Sequence, residues 1–246
     1  LVGWLIATVA LALVSRLDPN PPGRFIDDVI NLCCLWVGLV GAVLLAHRIF
    51  RATSETEGAA EHRPDTRIAA HRPGSFFLSE IRHDFGVALR PVDLAVGVCA
   101  GLAGQYVLTP LLELPLAPFV PHLFTRLSEP ANSLTNGVNG VDFVILGLLV
   151  CLGSPVVEEL YFRGLILRAL LGKTARLPRG LAIAGPVVLS GVFFGLVHFE
   201  PIELLALSGF GALLALLAWV SGRLGPGFIA HVTFNTATFV TLAFAH

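Results

Sequence analysis

Residues 154–164 read Ser-Pro-Val-Val-Glu-Glu-Leu-Tyr-Phe-Arg-Gly and close an apolar run that begins near Val141. Two adjacent carboxylates in such a run demand an explanation, because charge inside a bilayer is costly and usually functional. On a helix, successive residues point about 100° apart, so Glu158 and Glu159 face different directions. Glu159 and Arg163 stand at i, i+4 with the acid first, the favourable order for an intrahelical ion pair. Glu158 has only Phe162 at that spacing. One acid is then structural and ionised, and the other is free to act. The plainer reading is a pair of acids snorkelling at the membrane boundary.

Two further polar sets sit in later apolar runs. Phe194 and His198 are one helical turn apart, and so are His231 and Asn235. A lone His in an apolar helix is most often a hydrogen-bonded packing residue. Three helices each carrying such a group point to a shared site. Peptide hydrolysis needs an activated water and donors for a developing oxyanion. A carboxylate beside a His can hold and deprotonate water. A His and an Asn one turn apart can aim N–H groups at one oxygen. The rival chemistry is zinc, with Glu158, His198 and His231 as ligands and an open water position. The His-Glu-x-x-His helix of many zinc proteases is absent. The expected mechanism therefore uses no cofactor, with zinc as the alternative.

These residues lie in a chain of 246, of which 55% are hydrophobic and only 13% charged. Its mean hydropathy is +0.80. Soluble domains carry about 25% charged residues, so the composition implies an all-α polytopic transmembrane helix bundle. About seven spans are expected, at roughly 1–17, 29–47, 92–112, 141–162, 180–198, 203–220 and 227–245. The chain divides into an N-terminal transmembrane hairpin (1–47), a polar segment (48–91) and a transmembrane region (92–246). Within the polar segment, Thr53 to Pro73 reads as disordered linker, and Ser75 to Leu89 reads as a short helix on the membrane surface. Leu114 to Leu123, with three prolines, reads as a loop, and Asn132 to Gly140 as a turn-rich linker. All four cysteines lie in apolar runs, which argues for packing residues and against a disulfide framework. No basic tract or Gly-rich phosphate loop is present, so nucleic acid is not a partner.

Seven of the sixteen Lys and Arg residues fall in 48–91, five in 163–179, and Arg223 precedes the last span. Alternating spans put all of them on one side. The positive-inside rule makes that side the cytoplasm and leaves the C-terminus outside. Simple spans would leave Glu158 and His198 at opposite ends of their helices. One way for them to converge is for the Glu158 helix to continue through Gly164 to Leu171; bends at Pro155 and Pro186 are another.

The ordered set Glu158-Glu159-x-x-x-Arg163, Phe194-x-x-x-His198 and His231-x-x-x-Asn235 resembles the motifs of the CAAX protease and bacteriocin-processing (CPBP, or ABI) family. That family of intramembrane proteases includes the eukaryotic Ras-converting CAAX endopeptidases. The resemblance covers residues 141–245. It implies Glu158 and His198 as water activators and His231 and Asn235 as oxyanion donors. Glu159, Arg163 and Phe194 become supporting structure. It further implies a multi-pass protein of a bacterial cytoplasmic membrane that cuts a membrane-associated peptide or protein. The alternatives are a non-catalytic immunity or scaffold relative of the same fold, and a small-solute transporter. The transporter reading predicts paired broken helices in two halves, and the sequence has no such symmetry.

Overall fold

The computed structural model describes residues 24–60 and 85–245. Among the described residues there are seven helices and no strand. They are α1 (Arg24–Ala60), α2 (Pro91–Leu116), α3 (Leu123–Thr135), α4 (Gly140–Thr174), α5 (Arg179–Leu196), α6 (Leu204–Ser221) and α7 (Gly225–Ala245). Phe25–Ile49 of α1 and the whole of α2, α4, α5 and α6 are long and apolar enough to cross a membrane. α7, which carries His231, Asn235 and four threonines, is not among them. The expected first span, 1–17, lies outside the described residues.

Two glycine-faced crossings draw the helices around the site together. Gly97 and Gly101 of α2, one turn apart, meet Ile229, Ala230 and Thr233 of α7 so closely that a Cβ on either would collide. Gly191 and Gly195 of α5 meet Ser208 and Ala212 of α6 in the same way. Small residues at i, i+4 let membrane helices approach to backbone contact, where dispersion and interhelical polar contacts replace the missing hydrophobic drive. A buried cluster of Phe162, Phe194, Phe210, Leu214 and Ala230 fills the space between these pairs.

The start of α2 is tied to the start of α7. Pro91 occupies the first helical position, where its missing N–H costs nothing. Asp93 accepts the Arg90 backbone N–H at 2.8 Å. The same carboxylate, fully buried, takes Arg223 in a two-point pair, Nη2 at 2.5 Å and Nε at 3.1 Å. The Leu224 N–H closes the junction on the Gly86 carbonyl at 2.9 Å.

Three parts of the structure depart from the expectations. α1 runs past the polar boundary to Ala60, into the stretch read as linker, because Arg, Ala and Glu there are strong helix formers. Residues 61–73 of that linker lie outside the described residues. The expected surface helix over 75–89 lies mostly outside them too. Its described end is a turn: Gly86 has φ +66°, and its carbonyl serves Ala88 and Leu224 instead of a helical partner. Finally, α3 forms around Pro130, starting from His122 in the left-handed region.

α4 is one helix of 35 residues. It continues through Gly164 to Thr174. Its turns widen to i→i+5 at Leu149–Gly153 and again at Leu160–Leu167, on either side of the Glu pair. Such π turns occur often at functional sites.

Candidate active site

Glu158 and Glu159 sit on the ordinary helical stretch Ser154–Glu159, between the two wide turns of α4. Glu159 points inward and is 1% exposed. Its Oε1 accepts Arg163 Nη1 at 2.8 Å and His231 Nδ1–H at 3.1 Å. Arg163, equally buried, donates its Nη2 to the Gly211 carbonyl at 3.0 Å and stacks over Phe194 at 4.7 Å. Gly227 makes room for the second Glu159 oxygen, since a Cβ there would stand 2.9 Å from it. The i, i+4 spacing thus produces a buried ion pair, and that pair also orients a histidine from α7.

Glu158 points elsewhere. Its Oε2 lies 3.8 Å from His231 Nε2 and has no hydrogen-bond partner. His231 therefore spans the two acids: Nδ1–H on the structural carboxylate, Nε2 facing the unpaired one. The Glu159 carboxylate thus fixes the ring's orientation and turns Nε2 towards Glu158.

His198 stands just past the C-terminal end of α5. Its Nδ1 bonds the Phe194 carbonyl at 2.7 Å. A carbonyl only accepts, so Nδ1 carries the proton and Nε2 keeps its lone pair. The Phe194 ring lies between the two imidazoles, with centroids 4.7 Å from His198 and 5.5 Å from His231. Phe194 is thus a spacer for both histidines as well as a cover on Arg163. Its partner Phe162 meets it edge-on at 5.3 Å.

Asn235 sits one turn beyond His231, and its Nδ2 donates to the Val150 carbonyl at 2.9 Å. The cause lies in the first wide turn of α4. In a regular helix the Val150 carbonyl would take the Ser154 N–H, but that group bonds Leu149 instead. Five residues on is Pro155, which has no N–H. Asn235 fills the acceptor that this combination frees. Pro155 in the sequence signals a lost hydrogen bond; the identity of its replacement was not legible there.

The structure therefore gathers Glu158, Glu159, Arg163, Phe194 and His231 into one contact network, with His198 joined to it through Phe194 and Asn235 one turn away. Among the described residues, no group of three or more His, Cys, Asp or Glu side chains is arranged to hold a metal ion, and this includes Glu158, His198 and His231.

Residues 140–237 match the family model described as type II CAAX prenyl endopeptidase Rce1-like. This part of the chain is similar to the CAAX protease family. All seven residues singled out by spacing and geometry lie inside the matched segment. The matched segment spans α4 to most of α7, while α1, α2 and α3 precede it. No curated protein and no solved structure matches the chain. Five apolar helices and a family of membrane proteases make this an integral membrane protein.

Proposed function

We propose that the chain is an intramembrane endopeptidase that hydrolyses a peptide bond in a membrane-associated peptide or protein, using water activated by Glu158 and His198. The observation that carries this reading is the division of labour in the Glu pair. The two acids differ in their partners: Glu159 is held through Oε1 by Arg163 and His231 while its Oε2 stays unpaired, whereas Glu158 has no Arg or Lys partner and faces only the His231 imidazole.

In this mechanism a water held by Glu158 and His198 Nε2 attacks the scissile carbonyl carbon. Its proton passes to Glu158. The oxyanion that forms accepts from His231 Nε2–H and from the second Asn235 N–H, the first being fixed on Val150. His231 donates there as the imidazolium, with Glu159 on Nδ1 and Glu158 nearby to offset its charge. Collapse of the tetrahedral intermediate breaks the C–N bond, and Glu158 returns its proton to the departing amine. Fixed donors of this kind, in a site shielded from water, are the largest single contribution in many hydrolases.

The positive-inside rule orients the Arg-rich ends of α4, α5 and α7 towards the cytoplasm. His231 stands six residues into α7 from Gly225, about 9 Å below that end. The substrate then reaches the site from the cytoplasmic leaflet. The family description makes a prenylated peptide ending in Cys and three further residues the first probe to use. Purified protein should cleave a fluorogenic version of it, with or without a chelator. Absence of cleavage by well-folded protein would leave the non-catalytic scaffold reading. Cleavage abolished by chelator and restored by zinc would leave a protease working by metal chemistry.

A further inference from the structure

Gln105 is a lone amide in the middle of α2, facing a helix that already carries two site residues. It sits in the wide turn Gly104–Leu108, where the Thr109 N–H reaches back to Gly104 across five residues. Gly104 has no room for a side chain against Phe210 and Phe234, so α2 closes on the site at that level. The next residue, half-buried Gln105, accepts the Thr238 hydroxyl on its Oε1 at 3.2 Å. Thr238 follows His231 and Asn235 at i+7 and i+3, on the same face of α7. The Gln105 amide nitrogen has no protein partner among the described residues. Its two N–H groups are thus available.

We infer that Gln105 is a substrate-binding residue: its amide N–H donates to a backbone carbonyl of the peptide, with Thr238 holding the amide in the donating orientation. This rests on the endopeptidase reading above and adds a subsite to it. Thr238 lies seven residues from His231, about 10 Å along α7. An extended peptide covers about 3.3–3.6 Å per residue, so a chain lying along this face presents its third residue from the scissile bond to Gln105. The wide turn in α2 explains why an amide at this position faces α7 and not lipid.

The test uses the prenylated peptide with its scissile amide reduced, so that it binds without being cut, alongside the cleavable version. Gln105→Leu keeps the bulk and removes the donor, while the Thr238 hydroxyl turns to the Phe234 carbonyl 3.3 Å away. One neutral hydrogen bond lost should weaken binding of the reduced peptide about 3- to 10-fold and raise KM equally, with kcat little changed. Thr238→Val should cost less, because the amide remains. Unchanged binding in Gln105→Leu overturns the assignment. So does an equal loss in both variants, which would make Gln105 and Thr238 a purely structural pair. If Gln105→Leu fails to fold, Gln105→Met is read in its place by the same criteria. Wild type that binds the reduced peptide but never cleaves the other removes the endopeptidase reading, and a loss of binding in Gln105→Leu then still upholds the subsite. Wild type that binds neither removes both.

Discussion

Replacing Glu159 separates structure from chemistry more sharply than any other change in this site. The Arg163 side chain is 0% exposed, and among the described residues its carboxylate partner is Glu159 Oε1, its other hydrogen bond going to a neutral carbonyl. Glu159→Ala leaves a buried guanidinium uncompensated, a change that costs about 3–5 kcal/mol when one partner of a buried pair is removed. It also frees His231 Nδ1, so activity should fall along with stability. Arg163→Met should cost a similar amount by stranding the carboxylate. The double variant Glu159→Ala/Arg163→Met removes both charges and should be far more stable than the sum of the single losses predicts. Equilibrium unfolding in mixed detergent micelles, with hydrolysis of the cleavable peptide on the same preparations, completes the cycle. If Glu159→Ala is as stable as wild type and only the chemistry is lost, Glu159 is the base and the roles given to the two acids are reversed.

Asn235→Ala should lower kcat about 10²–10³-fold through the oxyanion, with reduced-peptide binding retained. It should also destabilise by about 1–3 kcal/mol, because the Val150 carbonyl loses its donor; a change confined to stability would make Asn235 structural only. Arg223→Ala removes both of its hydrogen bonds to the Asp93 carboxylate and should lower stability in the same unfolding assay. A neutral result there would show that the junction of α2 and α7 does not depend on the pair. Burial, then Glu200 and Glu113, push the Glu203 carboxyl up to about 7. The folded state then keeps a proton that the unfolded chain releases near the ordinary value of 4.5, so this group's contribution is full below that pH and is lost as pH rises to about 7. Glu203→Gln should flatten that decline between about pH 5 and 8, and an unaltered pH profile would refute it.

Much of the site was legible in the sequence because membrane helices simplify the reading. Charged and polar residues in apolar runs stand out, and i, i+4 spacing identified the Glu159–Arg163 pair. A long α4 was one of the ways the sequence left for Glu158 and His198 to meet. What spacing could not supply was the partner choice of side chains between helices. That His231 bridges both acids, that Phe194 separates the two imidazoles, and that Asn235 serves Val150 all depend on how three helices pack. The wide turns were equally hidden, since i→i+5 bonding arises from tertiary fit and leaves no pattern in composition. α3 is masked in the sequence because Pro130 argues locally against a helix. The surface helix expected before α2 is overridden at its end by Gly86, whose carbonyl is taken by the α7 junction.

The central claim is that Glu158, not its neighbour, activates the water. Its most direct test is the rate at which Glu158→Gln hydrolyses the cleavable prenylated peptide under single-turnover conditions, with unfolding and reduced-peptide binding measured in parallel. The Glu158 Oε2 holds no hydrogen bond in the fold, so the variant should unfold and bind like wild type. Its hydrolysis should fall by about 10²–10⁴-fold, the range expected for loss of a general base. A hydrolysis rate indistinguishable from wild type would contradict the account.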